Sequence, residues 1–168
     1  MDESSATVQK FLEKLFIDIH YLESKKFTVS DREVEFKLGE LSFDMKMLCF
    51  IAGELSNAAT YFSTFANVKQ TESNDFKKYL KIDEKAEFKQ WSYQKRIDDA
   101  AKVEDKKKQI NKLNITTPTK RNKLTQYIST VLKSRQEEKP LVGAYVSLAK
   151  CEPLHLKNNC ITVSKRCS

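Results

Sequence analysis

Charge is divided unevenly along this chain of 168 residues, and the division limits what each half can fold into. Residues 91–168 hold 17 Lys or Arg and 7 Asp or Glu, a net charge of +10, whereas residues 1–40 hold 6 and 9, a net charge of −3. The basic half is also short of apolar residues, above all over 102–123. We therefore expect a small α+β body at 1–90, followed by a basic helical region with an irregular C-terminal tail at 91–168.

The first elements of the body are a helix and a hairpin. Apolar residues recur every three or four positions from Val8 to Ile19 and predict a helix that begins at Ser4 or Ser5. Apolar and polar residues then alternate on both sides of 30–32, which predicts a two-stranded β-hairpin with one buried face. Two strands alone are only marginally stable in water, so we expect this hairpin to pack on helices.

A second helical pattern follows Ser42 and is expected to run to about Asn57, with Asp44 in its first turn. Small residues over 52–59 and the aromatic residues after them predict a dense part of the core. The connector at 69–90 is polar and holds one short helical candidate, which centres on three residues, Phe76, Tyr79 and Leu80.

The basic half reads as a pair of helices. A narrow apolar stripe predicts a long, charged helix over 92–113. Thr117 and Pro118 predict the start of a second helix, which should run to 138 and stop before Pro140. A further short helix is expected over 141–148. The predicted fold class is thus α+β and mostly helical, with one small β-hairpin packed on helices and a basic helical hairpin after it.

Clustered cations are the main functional signal. Cations in the first turn of a helix oppose its dipole, so their presence at the start of the second helix suggests an external anion. A group of cations can bind a polyanion such as DNA because it releases the counterions of several phosphates. The alternative is a solvated face whose lysines pair with local acids. The candidate contact residues are Lys102, Lys106, Lys107, Lys108, Lys112, Lys120, Arg121 and Lys123.

Signals for catalysis are weak. Asp44 is the carboxylate best placed for metal-assisted phosphoryl transfer, but that chemistry needs several carboxylates around one or two cations. The possible companions are Asp18, Glu54 and Glu152, which the sequence does not bring together. The simpler interpretation of Asp44 is an acid at a helix start, so we expect no cofactor unless Asp44 proves to bind a divalent metal. Zinc-ligand types occur near the C-terminus without a close cysteine pair, at Cys151, His155, Cys160 and Cys167.

Two further expectations concern partners and compartment. Trp91 and Tyr93 lie at the charge boundary, where they either stack on bases or fill the core. No apolar run predicts a signal peptide or a membrane span, so we expect an intracellular protein, nuclear or cytoplasmic, without membrane contact.

Several segments together resemble a group of uncharacterised, mobile-element-derived (transposase-like) proteins that recur in invertebrate genomes. The segments are Asp-Met-Lys-Met-Leu at 44–48, Gly-Glu-Leu-Ser-Asn-Ala-Ala-Thr-Tyr-Phe-Ser-Thr-Phe-Ala-Asn-Val at 53–68, Ser-Arg-Gln-Glu at 134–137, Pro-Leu-Val-Gly at 140–143 and Glu-Pro-Leu-His-Leu-Lys-Asn-Asn at 152–159. The resemblance implies a fragment or remnant of a protein that acts on DNA, with Asp44 as the position to test for metal binding.

Three hypotheses follow. The leading one is a nucleic-acid-binding module that contacts phosphates through the basic helices and is not an enzyme as an isolated chain. The first alternative is a helical protein–protein interaction domain that pairs with a partner helix or a second copy through the apolar stripes. The second alternative is part of a metal-dependent nuclease or strand-transfer core.

Overall fold

The computed structural model describes residues 6–56, 58–72 and 89–151. In these ranges the chain is α+β and mostly helical, which confirms the predicted fold class. The predicted start at Ser4 or Ser5 and the candidate around Phe76, Tyr79 and Leu80 lie outside them. The elements are α1 (Ala6–Glu23), β1 (Lys26–Val29), β2 (Arg32–Glu35), β3 (Leu41–Phe43), α2 (Met45–Ile51), α3 (Tyr93–Asn111), α4 (Thr117–Gln126) and β4 (Ala149–Cys151).

Helix α1 covers the main core with a narrow stripe. Only Leu12 and Phe16 are buried along it, whereas Phe11 and Leu15 of the predicted apolar face are exposed. The two buried side chains pack with residues of α2 and with Val142. Residues from both predicted domains therefore meet in this core. No helix in the described part of the chain is long and apolar enough to span a bilayer.

The β-hairpin forms where predicted, but its predicted buried face is wrong. β1 and β2 pair antiparallel with Phe27 opposite Val34. Every residue of both strands is exposed. Ion pairs on the polar face, from Lys26 to Glu33 at 3.0 Å and to Glu35 at 3.8 Å, support the pairing. The hairpin projects from the body because no apolar residue of its strands joins the core.

A parallel strand pair that the sequence did not predict closes the body. β3 pairs with β4 in the register Leu41 to Ala149 and Phe43 to Cys151. Ala149 is buried in the main core, and Leu41 and Phe43 pack against it. The pair thus joins the segment before α2 to the C-terminal end of the described residues. The short helix predicted over 141–148 precedes β4 as a 3₁₀ turn at Gly143–Leu148.

Helix α2 is shorter than predicted. Asp44 lies just before the helix as its N-cap, where one carboxylate oxygen accepts hydrogen bonds from the backbone N–H groups of Lys46 and Met47, both at 2.8 Å. The helix ends at Ile51 and not at Asn57. Gly53 follows the helix with a positive φ of 66°, a backbone conformation that residues with a Cβ rarely adopt.

The predicted helical hairpin is present as α3 and α4. Its apolar stripes pack on each other in a second core cluster, which holds Leu55, Val103, Ile110, Leu124 and Ile128. The predicted end of the second helix at 138 is wrong. The chain leaves α4 through a π-helical turn at Tyr127–Val131, and Lys133 then adopts a positive φ of 49°.

The chain turns inward after Lys133 because its next side chains belong to a buried polar network. Arg135 and Gln136 are almost completely buried, and so are Glu54 and Arg96. Arg96 of α3 donates hydrogen bonds to Glu54, to Gln136 Oε1 at 3.0 Å and to the carbonyl oxygen of Thr64 at 2.5 Å. One carboxylate thus anchors α3 to the turn after α2.

Arg135 completes the network from the opposite side. Its guanidinium donates to the carbonyl oxygen of Leu55 at 2.8 Å and to Cys49 Sγ at 3.1 Å. Its Nε lies 2.9 Å from Glu54 Oε2. Burial raises the pKa of the Cys49 thiol, against the opposing effect of the nearby Arg135 charge. A helix to 138 would give up these contacts, so burial of polar side chains overrides the local helical pattern.

Candidate functional site

The eight predicted cations do not share one face. At about 100° per residue, the five lysines on and just after α3 point in several directions around its axis. Lys106 and Lys107 border the buried stripe on opposite sides, because a rotation of about 100° separates them on either side of Val103. The lysines of α3 therefore do not present their charges on one side of the hairpin.

Three of the predicted cations do come together. Lys107 of α3 and Lys120 and Arg121 of α4 line one cleft of about 300 Å3 between the two helices. We call it the α3–α4 cleft. Its full lining is Lys107, Ile110, Asn111, Thr117, Lys120, Arg121 and Leu124.

The floor and rim of the α3–α4 cleft have different chemistry. Ile110 and Leu124 are buried and form an apolar floor. Asn111 and Thr117 add an amide and a hydroxyl, which are neutral hydrogen-bonding groups, beside the cations. An anion in this cleft would meet three cations from two helices.

Lys120 also has a structural role. Its ammonium donates a hydrogen bond to the carbonyl oxygen of Asn111 at 3.0 Å, at the C-terminus of α3. A cation there satisfies a carbonyl that the helix leaves unpaired. The charge of Lys120 is unfavourable in the first turn of α4, but its hydrogen bond at the C-terminus of α3 compensates for this. Its location alone does not require an external anion.

Acids oppose the two other cations of the cleft. Arg121 donates two hydrogen bonds to the carboxylate of Glu137, one of them at 2.9 Å, and these bonds raise its pKa. Lys107 lies 3.7 Å from Glu138, and both side chains are largely exposed. The cleft thus holds three cations against two acids at its edge. The exposed Lys107–Glu138 pair contributes at most about 1 kcal/mol, whereas the Glu137 side chain is only 14% exposed and holds Arg121 through two bonds.

The other predicted cations lie outside the cleft. Lys108 pairs with Glu104 at 3.1 Å and Asp105 at 3.6 Å, as the solvated-face alternative expects, and the hydrogen bond to Glu104 raises its pKa. Lys106 holds its ammonium 5.5 Å from the ring centre of Tyr127. The remaining three make no ion pair with any residue in the described ranges: Lys102, Lys112 and Lys123.

The sequence around the cleft lacks acids. From Lys106 to Lys133 the chain holds eight Lys or Arg and no Asp or Glu. The opposing Glu137 and Glu138 come from the segment that turns inward after α4. The junction of α3 and α4 therefore has a positive local field. Glu137 and Glu138, which folding brings close to it, offset this field only in part.

The residues weighed for metal chemistry do not form a site in the described ranges. The carboxylate of Asp44 caps the N-terminus of α2 by accepting two backbone hydrogen bonds. Within 6–56, 58–72 and 89–151, no group of three His, Cys, Asp or Glu is placed to hold a metal ion. The zinc-ligand set lies largely outside these residues, since only Cys151 belongs to them.

Two features escaped the sequence prediction. The buried network of Glu54, Arg96, Arg135 and Gln136 consists of residue types that are expected at the surface, so no apolar pattern marks it. The second feature is a cavity at the start of α3, beside Trp91 and Tyr93. The unusual position of these aromatic residues at the charge boundary was the one signal for it.

No protein-family model, curated protein or solved structure matches this chain.

Proposed function

We propose that this chain binds nucleic acid through the α3–α4 cleft, where Lys107, Lys120 and Arg121 hold phosphate groups of the backbone. The observation that carries the proposal is the meeting of these three cations at one cleft, although two of them lie 13 residues or more from the third in sequence. Lysine and arginine are the usual partners of backbone phosphates, and neutral groups such as Asn111 and Thr117 often assist them.

The surrounding field supports the same ligand. Eight cations and no acid lie between Lys106 and Lys133, so the positive field around the cleft attracts a polyanion toward it before contact. A phosphate has to displace Glu137 and Glu138 from their cationic partners. The exposed Lys107–Glu138 pair costs about 1 kcal/mol or less to break, whereas the two-bond Arg121–Glu137 pair, whose carboxylate side chain is only 14% exposed, costs more.

The resemblance to transposase-like proteins makes DNA the first ligand to test. In this proposal the chain is a fragment or remnant of such a protein and contributes binding but no chemistry of its own. The contacts are to phosphates, so RNA of the same length is the natural comparison ligand.

The test is a salt titration of duplex DNA binding, measured by fluorescence anisotropy. Three phosphate contacts predict a slope of about −2.7 in log Kobs against log salt. A triple neutralisation, Lys107→Gln with Lys120→Gln and Arg121→Gln, should remove most of this slope and most of the affinity.

The matched control removes the same number of charges elsewhere. Lys102→Gln, Lys106→Gln and Lys123→Gln leave the cleft intact and should keep binding within about threefold, with the slope unchanged. Equal losses in the two triple variants would mean that only net charge matters and would overturn the cleft. Full binding by the cleft variant would do the same.

The two alternatives draw less support from the geometry. A partner helix would need the apolar stripes of α3 and α4, but Val103, Ile110 and Leu124 are buried against each other. A nuclease core would need carboxylates beside Asp44, and the described residues bring none to it in a metal-binding group. No observation favours either alternative over the cleft.

A further inference from the structure

A second cavity lies at the other end of α3 from the α3–α4 cleft. It has a volume of about 190 Å3. Three aromatic side chains, Phe65, Trp91 and Tyr93, line it together with polar and cationic groups. Those groups include Gln90, Ser147, Arg96 and Lys150. We call it the aromatic cavity.

One of the three aromatic side chains, Trp91, is held rigidly. Trp91 is fixed by two hydrogen bonds, from its ring N–H to the carbonyl oxygen of Ser63 at 2.9 Å and from its backbone N–H to that of Phe65 at 3.1 Å. Its ring also meets the edge of Tyr61 at 6.0 Å between ring centres. A ring held in this way loses little freedom when a flat ligand stacks on it.

Two of the rings face solvent. Phe65 is 44% exposed and Tyr93 is 37% exposed, although both are large enough to add to the core. Aromatic rings left open beside a cavity can stack on the face of any nucleobase. The ammonium of Lys95 lies 5.7 Å from the ring centre of Trp91 and is held there by an ion pair with Asp99 at 2.7 Å.

We infer that the aromatic cavity accepts one unstacked base of a single-stranded nucleic acid, an inference that rests on the proposed function. The volume corresponds to about six water molecules at about 30 Å3 each, which suits one heteroaromatic ring system. Gln90 and Ser147 provide hydrogen-bonding groups toward the base edge. Lys150 provides a cation for a neighbouring phosphate.

The positions of the two sites along α3 fit one strand. Tyr93 and Lys107 are 14 residues apart on the helix, which is close to four full turns and about 21 Å. They therefore lie on the same flank. A single strand that runs along this flank would place phosphates in the α3–α4 cleft and a base in the aromatic cavity.

The test uses the intrinsic fluorescence of Trp91, the single tryptophan of the chain. A single-stranded oligothymidylate should quench this fluorescence, whereas the same backbone with abasic sites should bind without quenching. Phe65→Ala should weaken oligothymidylate binding about fivefold to about hundredfold, the range for loss of one stacked base, and leave duplex binding unchanged. Circular dichroism checks that the variant is folded.

The matched control is Phe36→Ala just after β2, where the phenylalanine is 38% exposed. It should change neither quenching nor affinity. Equal quenching by the abasic strand, equal loss of duplex binding in Phe65→Ala, or intact binding without quenching would overturn the aromatic cavity as a base site.

Thymidine monophosphate separates this inference from the proposed function. Quenching by the mononucleotide in the triple cleft variant would support the aromatic cavity even if that variant loses duplex binding. Duplex binding at the cleft together with no quenching by the mononucleotide or the oligothymidylate would overturn the base site and leave the proposed function standing.

Discussion

Arg135 and Arg121 carry the same guanidinium group and lie 14 residues apart, yet their surroundings are opposite. The side chain of Arg135 is 1% exposed and touches Glu54, whose side chain is completely buried. The side chain of Arg121 is 54% exposed, beside the α3–α4 cleft, although that of its partner Glu137 is only 14% exposed. The chain thus uses one kind of cation for two purposes.

The difference follows from desolvation. A buried charge that loses its partner costs several kcal/mol, so the network around Glu54 is committed to holding α3, the turn after α2 and 134–136 together. A surface pair contributes little, so its cation can change partners at little cost. Only the second kind of cation is available to a ligand.

The largest expected effect comes from breaking the buried group. Glu54→Gln leaves Arg96 and Arg135 without their shared negative charge and should lower the free energy of unfolding by about 3–5 kcal/mol. Urea denaturation measures the loss. The counterpart at the cleft, Glu137→Gln, should cost less, about 1 kcal/mol, because the guanidinium of Arg121 stays half exposed to water. Similar losses in both variants would remove the distinction between the two groups.

Gly53 connects the two regions, because its carbonyl oxygen accepts hydrogen bonds from the backbone N–H groups of Glu137 and Glu138. An added Cβ at Gly53 would lie 2.4 Å from the carbonyl oxygen of Glu138, at a positive φ. Gly53→Ala should therefore destabilise the fold by at least about 1–2 kcal/mol, measured by urea denaturation.

The control for that substitution is Gly39→Ala, since nothing lies within 4 Å of an added Cβ there. It should be neutral or slightly stabilising, by up to about 1 kcal/mol. Equal destabilisation by the two substitutions would contradict the close approach at Gly53.

A smaller effect is expected on binding. Glu137→Gln removes the acid that occupies Arg121, so the affinity for duplex DNA should rise by up to about fivefold. Anisotropy titration at low salt measures it. Glu33→Gln on the projecting hairpin, where the acid pairs with Lys26 at 3.0 Å, should leave affinity unchanged. A fall in affinity on removing Glu137 would count against Arg121 as a phosphate contact.

The smallest effect concerns a hydrogen-bonded carboxylate, Glu23, outside the two regions compared above. Glu23 accepts hydrogen bonds from the Tyr145 hydroxyl at 2.5 Å and the backbone N–H of Leu38 at 2.9 Å, which lower its pKa. The pKa of Glu23 in the folded state is below its unfolded value of 4.5. The stabilisation is therefore present above pH 4.5 and is lost as the pH falls through the folded-state pKa. The same bond raises the pKa of Tyr145, so its part is lost at high pH.

Tyr145→Phe should therefore lower Tm at neutral pH, and the gap to the unmodified protein should narrow as the pH falls below about 4.5. Thermal melts across this range measure the gap. Tyr21→Phe, at an exposed tyrosine of α1, serves as the control. A gap that stays constant with pH would assign the effect of Tyr145→Phe to packing and not to Glu23.

The helices were largely predictable because their signal is local. The apolar period marks α1 and α3, and the Thr-Pro pair marks the start of α4 to within one residue. Strands β3 and β4 were missed because each has three residues, too few for a visible alternation. Their pairing also joins positions more than a hundred residues apart.

The site was predictable by composition but not by geometry. The cation count identified Lys107, Lys120 and Arg121, together with five cations that lie elsewhere. The acid partners of these cations were not predicted. A helix that continued to 138 would have kept Glu137 within that helix and away from Arg121. The wrong end of the second helix and the missed acid partners have the same cause. A pattern of apolar residues does not reveal that Arg135 and Gln136 are buried.

The parallel pairing of β3 with β4 also affects how the chain is made. On the ribosome, 41–43 emerges long before 149–151, so the pair closes only late in synthesis. Closing a loop of this length is slow compared with forming the helices. Until then Leu12, Phe16 and Leu48 lack the cover of Val142 and Val146, and the nascent chain presents an apolar surface that a chaperone can hold.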